Sequence, residues 1–128
     1  VEKAAALTQL DKSAEALRKI LSSYDEIVAG GGDSLRRELG FVGTSSPLFS
    51  VAKALTAVSE DAEDPVEFGE RFDDFLLALR AADADAYSAN FVTFSSAKGT
   101  PAGYFKSARK ELDRALQDLD AILALLPR

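Results

Sequence analysis

A chain of 128 residues, 47% hydrophobic and 28% charged, is long enough for one domain with its own core and too apolar for intrinsic disorder. Its formal net charge of −6 sets up a field that repels nucleic acid and anionic membrane, so an anionic partner must meet a local patch. The lack of Cys and His excludes a disulfide framework and thiolate or imidazole metal sites, and no apolar run approaches the ~20 residues that span a bilayer.

Met is absent as well, so the chain is expected to begin at Val1 through processing or trimming, and to be soluble. The joint absence of Cys, Met, His and Trp suits an oxidising setting, and suits chance in an Ala- and Leu-rich chain equally.

From Lys3 to Ala29, Leu7, Leu10, Ala14, Leu17, Leu21, Tyr24 and Val28 follow at steps of 3, 4, 3, 4, 3, 4, which predicts one unbroken helix. Gly30, Gly31 and Gly32 end it, because glycine weakens a helix interior and supplies a positive φ at a helix end. Asp33 or Ser34 then caps a short segment carrying Leu35, Leu39 and Val42. Gly40, Gly43 and residues 44–46 interrupt it before Leu48, Val51, Leu55 and Val58 resume helical spacing, so the second helix is read as broken.

Asp64-Pro65-Val66-Glu67 sets Asp at the N-cap, Pro at N1 and Glu at N3 of a third helix. That helix carries Phe68, Phe72, Phe75, Leu79, Ala82 and Ala86, and reaches Asn90. The one strand-like pattern is at residues 91–94. A Thr100-Pro101 cap opens a fourth helix with Phe105, Ala108, Leu112, Ala115, Leu119, Ile122 and Leu126 on one seam. Ser46-Pro47 reads as a further cap followed by N1, and Pro127 follows the last apolar turn. The expected fold class is all-α, a four-helix up-down-up-down bundle with a broken second helix, forming a single domain over residues 1–128 with rods about 35 Å long.

KGTPAGYF, residues 98–105, has the lysine and glycines of a phosphate loop but not their order: the Gly99 to Gly103 interval is too short, and Lys98 precedes the glycines. The expected role is a helix start, with Thr100 accepting from the Gly103 N–H. Residues 60–85 hold ten carboxylates against Arg71 and Arg80, a local balance of −8. A hard-cation site or an acid/base pair needs a ligand loop or a cleft that the pattern lacks, so these side chains read as a solvated face. Tyr24, Tyr87 and Tyr104 sit at or beside seam positions, ring at the core edge and hydroxyl at the rim. With no His or Cys, Ser-His-Asp and Cys-His arrangements are excluded, and no enzymatic activity is expected.

Positive charge collects at Lys106, Arg109, Lys110 and Arg114 in the last helix and at Arg36 and Arg37 in the broken one. Positions three and four apart share a helix face. Two readings apply. Either these groups make weak surface pairs, Arg109 with Asp113 and Lys110 with the carboxylates beside Arg114, or they dock an acidic partner.

GGGDSLRRELG (30–40), DFLLALRAADADAYSANF (74–91) and GTPAGYFKSARKELDRALQDLDAILALL (99–126) resemble the PsbQ-like extrinsic proteins of photosystem II, in particular algal and diatom members. The resemblance spans most of the chain. It implies a non-catalytic subunit of the chloroplast thylakoid lumen, peripheral on the thylakoid membrane through protein contacts. Such a subunit supports oxygen evolution and retention of calcium and chloride. It further implies no cofactor and no resident metal, partners among photosystem II membrane subunits and other extrinsic proteins, no nucleic acid, and a monomer when free. The lack of Trp, the broken second helix and the acidic balance depart from some members. Charge clustering, not the resemblance, makes Arg36, Arg37, Lys106, Arg109 and Lys110 the candidate partner-binding residues. The alternative is a generic helical protein-binding domain with a groove beside the broken helix, which would leave Phe41, Val42, Leu48, Phe49 and Val51 exposed.

Overall fold

A computed structural model describes residues 2–92 and 99–128; residues 93–98, including Lys98 and half of the strand-like pattern at 91–94, lie outside the described residues. The fold is all-α. The described residues form α1 (Lys3–Ser22), α2 (Tyr24–Ala29), α3 (Gly32–Glu38), α4 (Val51–Val58), α5 (Pro65–Ala89) and α6 (Pro101–Ala124), with a 3₁₀ turn (Ser59–Asp61) after α4.

The expected first helix is interrupted at Ser23, whose φ of −114° and ψ of 23° leave the helical region. The neighbouring Ser22 hydroxyl donates to the Lys19 carbonyl (2.9 Å), a local bond that competes with the helical ladder and bends helices. The break lets Tyr24 turn inward, and its hydroxyl donates to the Phe105 carbonyl of α6. The buried face of α1 is also wider than the expected seam: Ala6, Ser13 and Ile20 join Leu10, Ala14 and Leu17, while Leu7 and Leu21 are half-buried. A helix between two neighbours buries a broader arc than one facing a single partner.

Gly31, at φ 96°, turns the chain into α3. The cap expected from Asp33 or Ser34 comes instead from the end of α5. The Asn90 Oδ1 accepts from the Gly32 N–H (3.1 Å), and its Nδ2 donates to Asp33 Oδ1 (2.9 Å). Gly32 permits the approach, because a Cβ there would lie 2.0 Å from the Ala86 carbonyl oxygen. α3 closes in a Schellman motif, with Gly40 N–H bonded to Arg37 O (3.2 Å) and Phe41 N–H to Arg36 O (3.0 Å), and Gly40 in the left-handed region at φ 86°.

Ser46-Pro47 does not start α4. The Ser46 hydroxyl accepts from the Leu48 N–H (3.1 Å) and donates to Glu38 O (2.7 Å), so it organises a turn, and α4 starts only at Val51, after a left-handed Ser50 (φ 57°). The caps expected for the two long helices do form. Asp64 Oδ1 accepts from the Glu67 N–H (3.1 Å), and Thr100 Oγ1 accepts from the Gly103 N–H (3.0 Å).

Helix neighbours run antiparallel. Lys3 reaches Asp61 past the end of α4, while Ser13 further along α1 reaches Pro47, ahead of its start. Arg18 on α1 pairs with Asp120 near the end of α6, whereas Arg109 near its start bonds Leu21. Gly32 and Arg36 of α3 meet Asn90 and Asp83. Arg71, early in α5, meets Asp118, late in α6. All six helices contribute to one core that includes Leu10, Leu17, Tyr24, Leu35, Leu55, Phe68, Phe75, Leu112 and Ile122. Alanines on both α5 (Ala78, Ala82, Ala86) and α6 (Ala108, Ala115) let the two longest helices approach closely.

Two glycines separate close approach from mere tolerance. Gly32→Ala drives a Cβ into backbone and is expected to cost about 2–3 kcal/mol in urea unfolding. Gly69→Ala, inside α5 with nothing within 4 Å of the added Cβ, is expected to stabilise by about 0.5–1 kcal/mol.

Candidate functional site

The N-terminal turns of α6 follow from their own sequence. Gly99 occupies φ 123°, a region side-chain-bearing residues rarely adopt, Thr100 caps, and Pro101 begins the helix. Tyr104 and Phe105 then lie half-buried, and helical spacing carries Lys106 and Lys110 to the solvent side. The two lysines are one turn apart, both exposed, and neither makes an ion pair or hydrogen bond among the described residues.

Arg109, between them in sequence, is drawn away. Its guanidinium lies 5.1 Å from the Tyr24 ring centroid, donates to Leu21 O (3.3 Å) and stands 3.9 Å from Asp25. The break at Ser23 frees that carbonyl, so Arg109 satisfies a helix end. Its acidic neighbour is Asp25, not the expected Asp113, and the Glu111 beside Lys110 is taken by Arg114 (3.2 Å).

The α3 pair divides similarly. Arg36 binds Asp83 through Nε (2.7 Å), has Asp33 at 3.6 Å, and lies 5.0 Å over the Tyr87 ring. The hydrogen bond to Asp83 holds its guanidinium even more firmly protonated than usual. Arg37 is exposed and has no partner among the described residues. Of the five candidates, Lys106, Lys110 and Arg37 present uncommitted charge, and Arg36 and Arg109 tie helices together. No ion pair or hydrogen bond links the α3 group to the α6 group among the described residues.

Several internal polar ties escape the sequence pattern. Asp118 is nearly buried on α6 and receives Arg71 (3.2 Å), which also holds Glu67 (3.0 Å). Ser13, fully buried, lies 2.8 Å from Gln9 O and 3.0 Å from Pro47 O. Gln9 donates to Pro47 O (2.9 Å) and Phe49 O (3.0 Å). Of the residues that the alternative reading would leave exposed at 41–51, Leu48 and Val51 are core, Val42 is half-buried, and Phe41 and Phe49 are 39% and 42% exposed.

Of the tyrosines, Tyr24 departs from the expected rim position. Its phenol is buried and pushed up to about 12, chiefly by burial, with Arg109 opposing. At the chain end, Arg128 holds the Asp11 carboxyl below its usual range by hydrogen bonding. Among the described residues no group of three or more acidic side chains is placed to hold a metal ion, and no described helix is long and apolar enough to cross a membrane. The surface depressions include an open groove between α5 and α6 lined by Asp74, Leu77, Glu111, Arg114 and Gln117.

Comparison of the chain with protein-family models, curated proteins and solved structures finds no match.

Arg109→Ala is expected to lower stability by about 0.5–1 kcal/mol, because it removes the contact with the Tyr24 ring and a donor to Leu21 O that water replaces only in part, whereas Lys106→Ala and Lys110→Ala stay within about 0.5 kcal/mol of wild type in urea titrations. Tyr24 sets an alkaline limb. Its folded pKa of about 12 exceeds the ordinary phenol value of 10.0, so its contribution is complete below pH 10 and is lost as pH rises through 12. Tyr24→Phe is expected to lose about 1 kcal/mol at pH 7 while unfolding less steeply with pH between pH 10 and 12, read by circular dichroism.

Proposed function

We propose that this chain is a non-catalytic, PsbQ-like extrinsic subunit that docks on the lumenal face of photosystem II through cationic patches on α6 and α3. Within this proposal the helices form four rods running up, down, up and down, with α1–α2, α3–α4, α5 and α6 as the rods and residues 39–50 as the break in the second. The antiparallel neighbour relations support that arrangement.

The observation that carries the docking reading is uncommitted positive charge on an acidic protein. Lys106, Lys110 and Arg37 stand in solvent with no internal partner among the described residues, while Arg36, Arg71, Arg109 and Arg114 nearby are all engaged. Free surface cations contribute little to folding and are available to steer an approach to a negative surface. The likeness at residues 30–40, 74–91 and 99–126 supports the identity of that surface. The subunit would act by covering and bracing, with no reaction of its own, and so support ion retention and oxygen evolution.

A second reading rests on the exposed edges of Phe41 and Phe49, which suit a helical partner beside the broken rod. The two readings separate in one rebinding assay on photosystem II membranes stripped of extrinsic proteins. The triple variant Arg37→Glu, Lys106→Glu, Lys110→Glu is expected to bind at least tenfold more weakly with unchanged helicity, and wild type is expected to be released by rising salt. Unchanged binding and salt release of the triple variant, with loss of binding in Phe41→Ala, Phe49→Ala, would favour the second reading.

A further inference from the structure

α5 buries one face, and Val66 and Leu77, eleven residues apart on the opposite face, stand 72% and 70% exposed. Tyr87, ten residues further along, is 49% exposed with Arg36 over its ring, and Phe91, just past the end of the helix, is 68% exposed. A surface helix ordinarily keeps that face polar. The charges between Val66 and Tyr87 include both signs. Asp73, Asp74 and Arg80 are exposed and make no ion pair or hydrogen bond with any described residue, although Arg71 and Asp83 on the same helix are both paired.

We propose that this outer face of α5 is a self-association surface, on which a second copy of the chain lies antiparallel about a two-fold axis near Leu77. The charge pattern is self-complementary about that point: Asp73 and Asp74 come four and three residues before Leu77, and Arg80 comes three after. A two-fold rotation therefore sets each Arg80 beside Asp73 and Asp74 of the other copy, twice over, as an isologous contact requires. The same rotation brings Val66, eleven residues before Leu77, toward Tyr87, ten after it. Leu77 itself borders the groove between α5 and α6 lined by Asp74, Ala78, Glu111, Arg114, Gln117 and Asp118, and near the two-fold axis the two Leu77 side chains meet each other.

The contact runs about 30 Å along the helix at ~1.5 Å per residue. A single helix pair falls at the small end of specific interfaces, under about 1,200 Å² in total, the range of weak, transient association. This surface is separate from the α6 and α3 cations and does not rest on the photosystem reading. It replaces the expectation of a free monomer with a weak equilibrium.

Sedimentation velocity from about 10 µM to 1 mM tests it. Wild type is expected to rise from 13.7 kDa toward twice that mass. Arg80→Asp alone, and Asp73→Arg with Asp74→Arg, are each expected to associate at least tenfold more weakly, because like charges then face each other. Mixing those two variants restores opposite charges at both ends of the contact and is expected to recover the dimer. All these side chains are exposed, so helicity by circular dichroism stays unchanged. A wild-type mass fixed at 13.7 kDa throughout, a mixture that remains monomeric, or association that survives Leu77→Glu would overturn the proposal.

Discussion

Backbone groups released where a helix breaks must find partners, and in this chain the breaks draw on side chains far away in sequence. The Ser23 break leaves Leu21 O, which Arg109 takes from 88 residues along. The α3 start leaves the Gly32 N–H, which Asn90 takes from 58 along. The irregular segment before α4 leaves Pro47 O and Phe49 O, which Gln9 and Ser13 take from α1. After the 3₁₀ turn, the Glu63 N–H closes on Leu125 O at the end of α6 (2.9 Å). Each bond joins a helix break to a different helix, so the short segments are held by the long ones and not by their own propensity. A helix of six or seven residues is not stable alone.

This constraint also decides which cations remain for other work. The five positive residues of the two patches look equivalent in sequence, since spacing along one helix cannot report on other helices. Packing separates them: Arg36 and Arg109, placed over tyrosine rings and next to carboxylates or free carbonyls, are absorbed, and the residues on the outward side are left. Guanidinium suits the absorbed role because its planar fork satisfies a carboxylate or carbonyl while stacking on a ring. The outward lysines, one turn apart on α6, are compact point charges on flexible stems.

Much of the helical framework was legible because it is local. Three-and-four spacing marks the long helices, and Asp64-Pro65 and Thr100-Pro101 mark their starts within three residues of the bond that each cap makes. What was not legible is non-local or competitive. Asn90 caps α3 only because Gly32 has no Cβ to hold α5 away. Ser46-Pro47 carries a helix-start signature, yet the Glu38 carbonyl and the Leu48 amide claim its hydroxyl for a turn. The Ser23 break hides inside an unbroken apolar seam, because Tyr24 keeps its place in the seam on both sides of the change in backbone angle.

The outer stripe of α5 shows the same limit from the opposite direction. Periodicity reveals apolar residues that share a face but not which face is covered, and α5 has two. Phe68, Phe75, Leu79 and Ala82 meet the core, whereas Val66 and Leu77 meet solvent, as does Phe91 just past the end of the helix. An apolar stripe in water invites association of every kind, and the charges around it restrict which kind. Glu70, Asp73 and Asp74 crowd one half, so a parallel neighbour in register would face like charge along that stretch. Only an arrangement that brings Arg80 to the acidic half relieves both the exposed leucine and the unpaired ions together. Self-complementarity about Leu77 is thus a selective feature: the charges that make the stripe soluble also leave one geometry in which it can close.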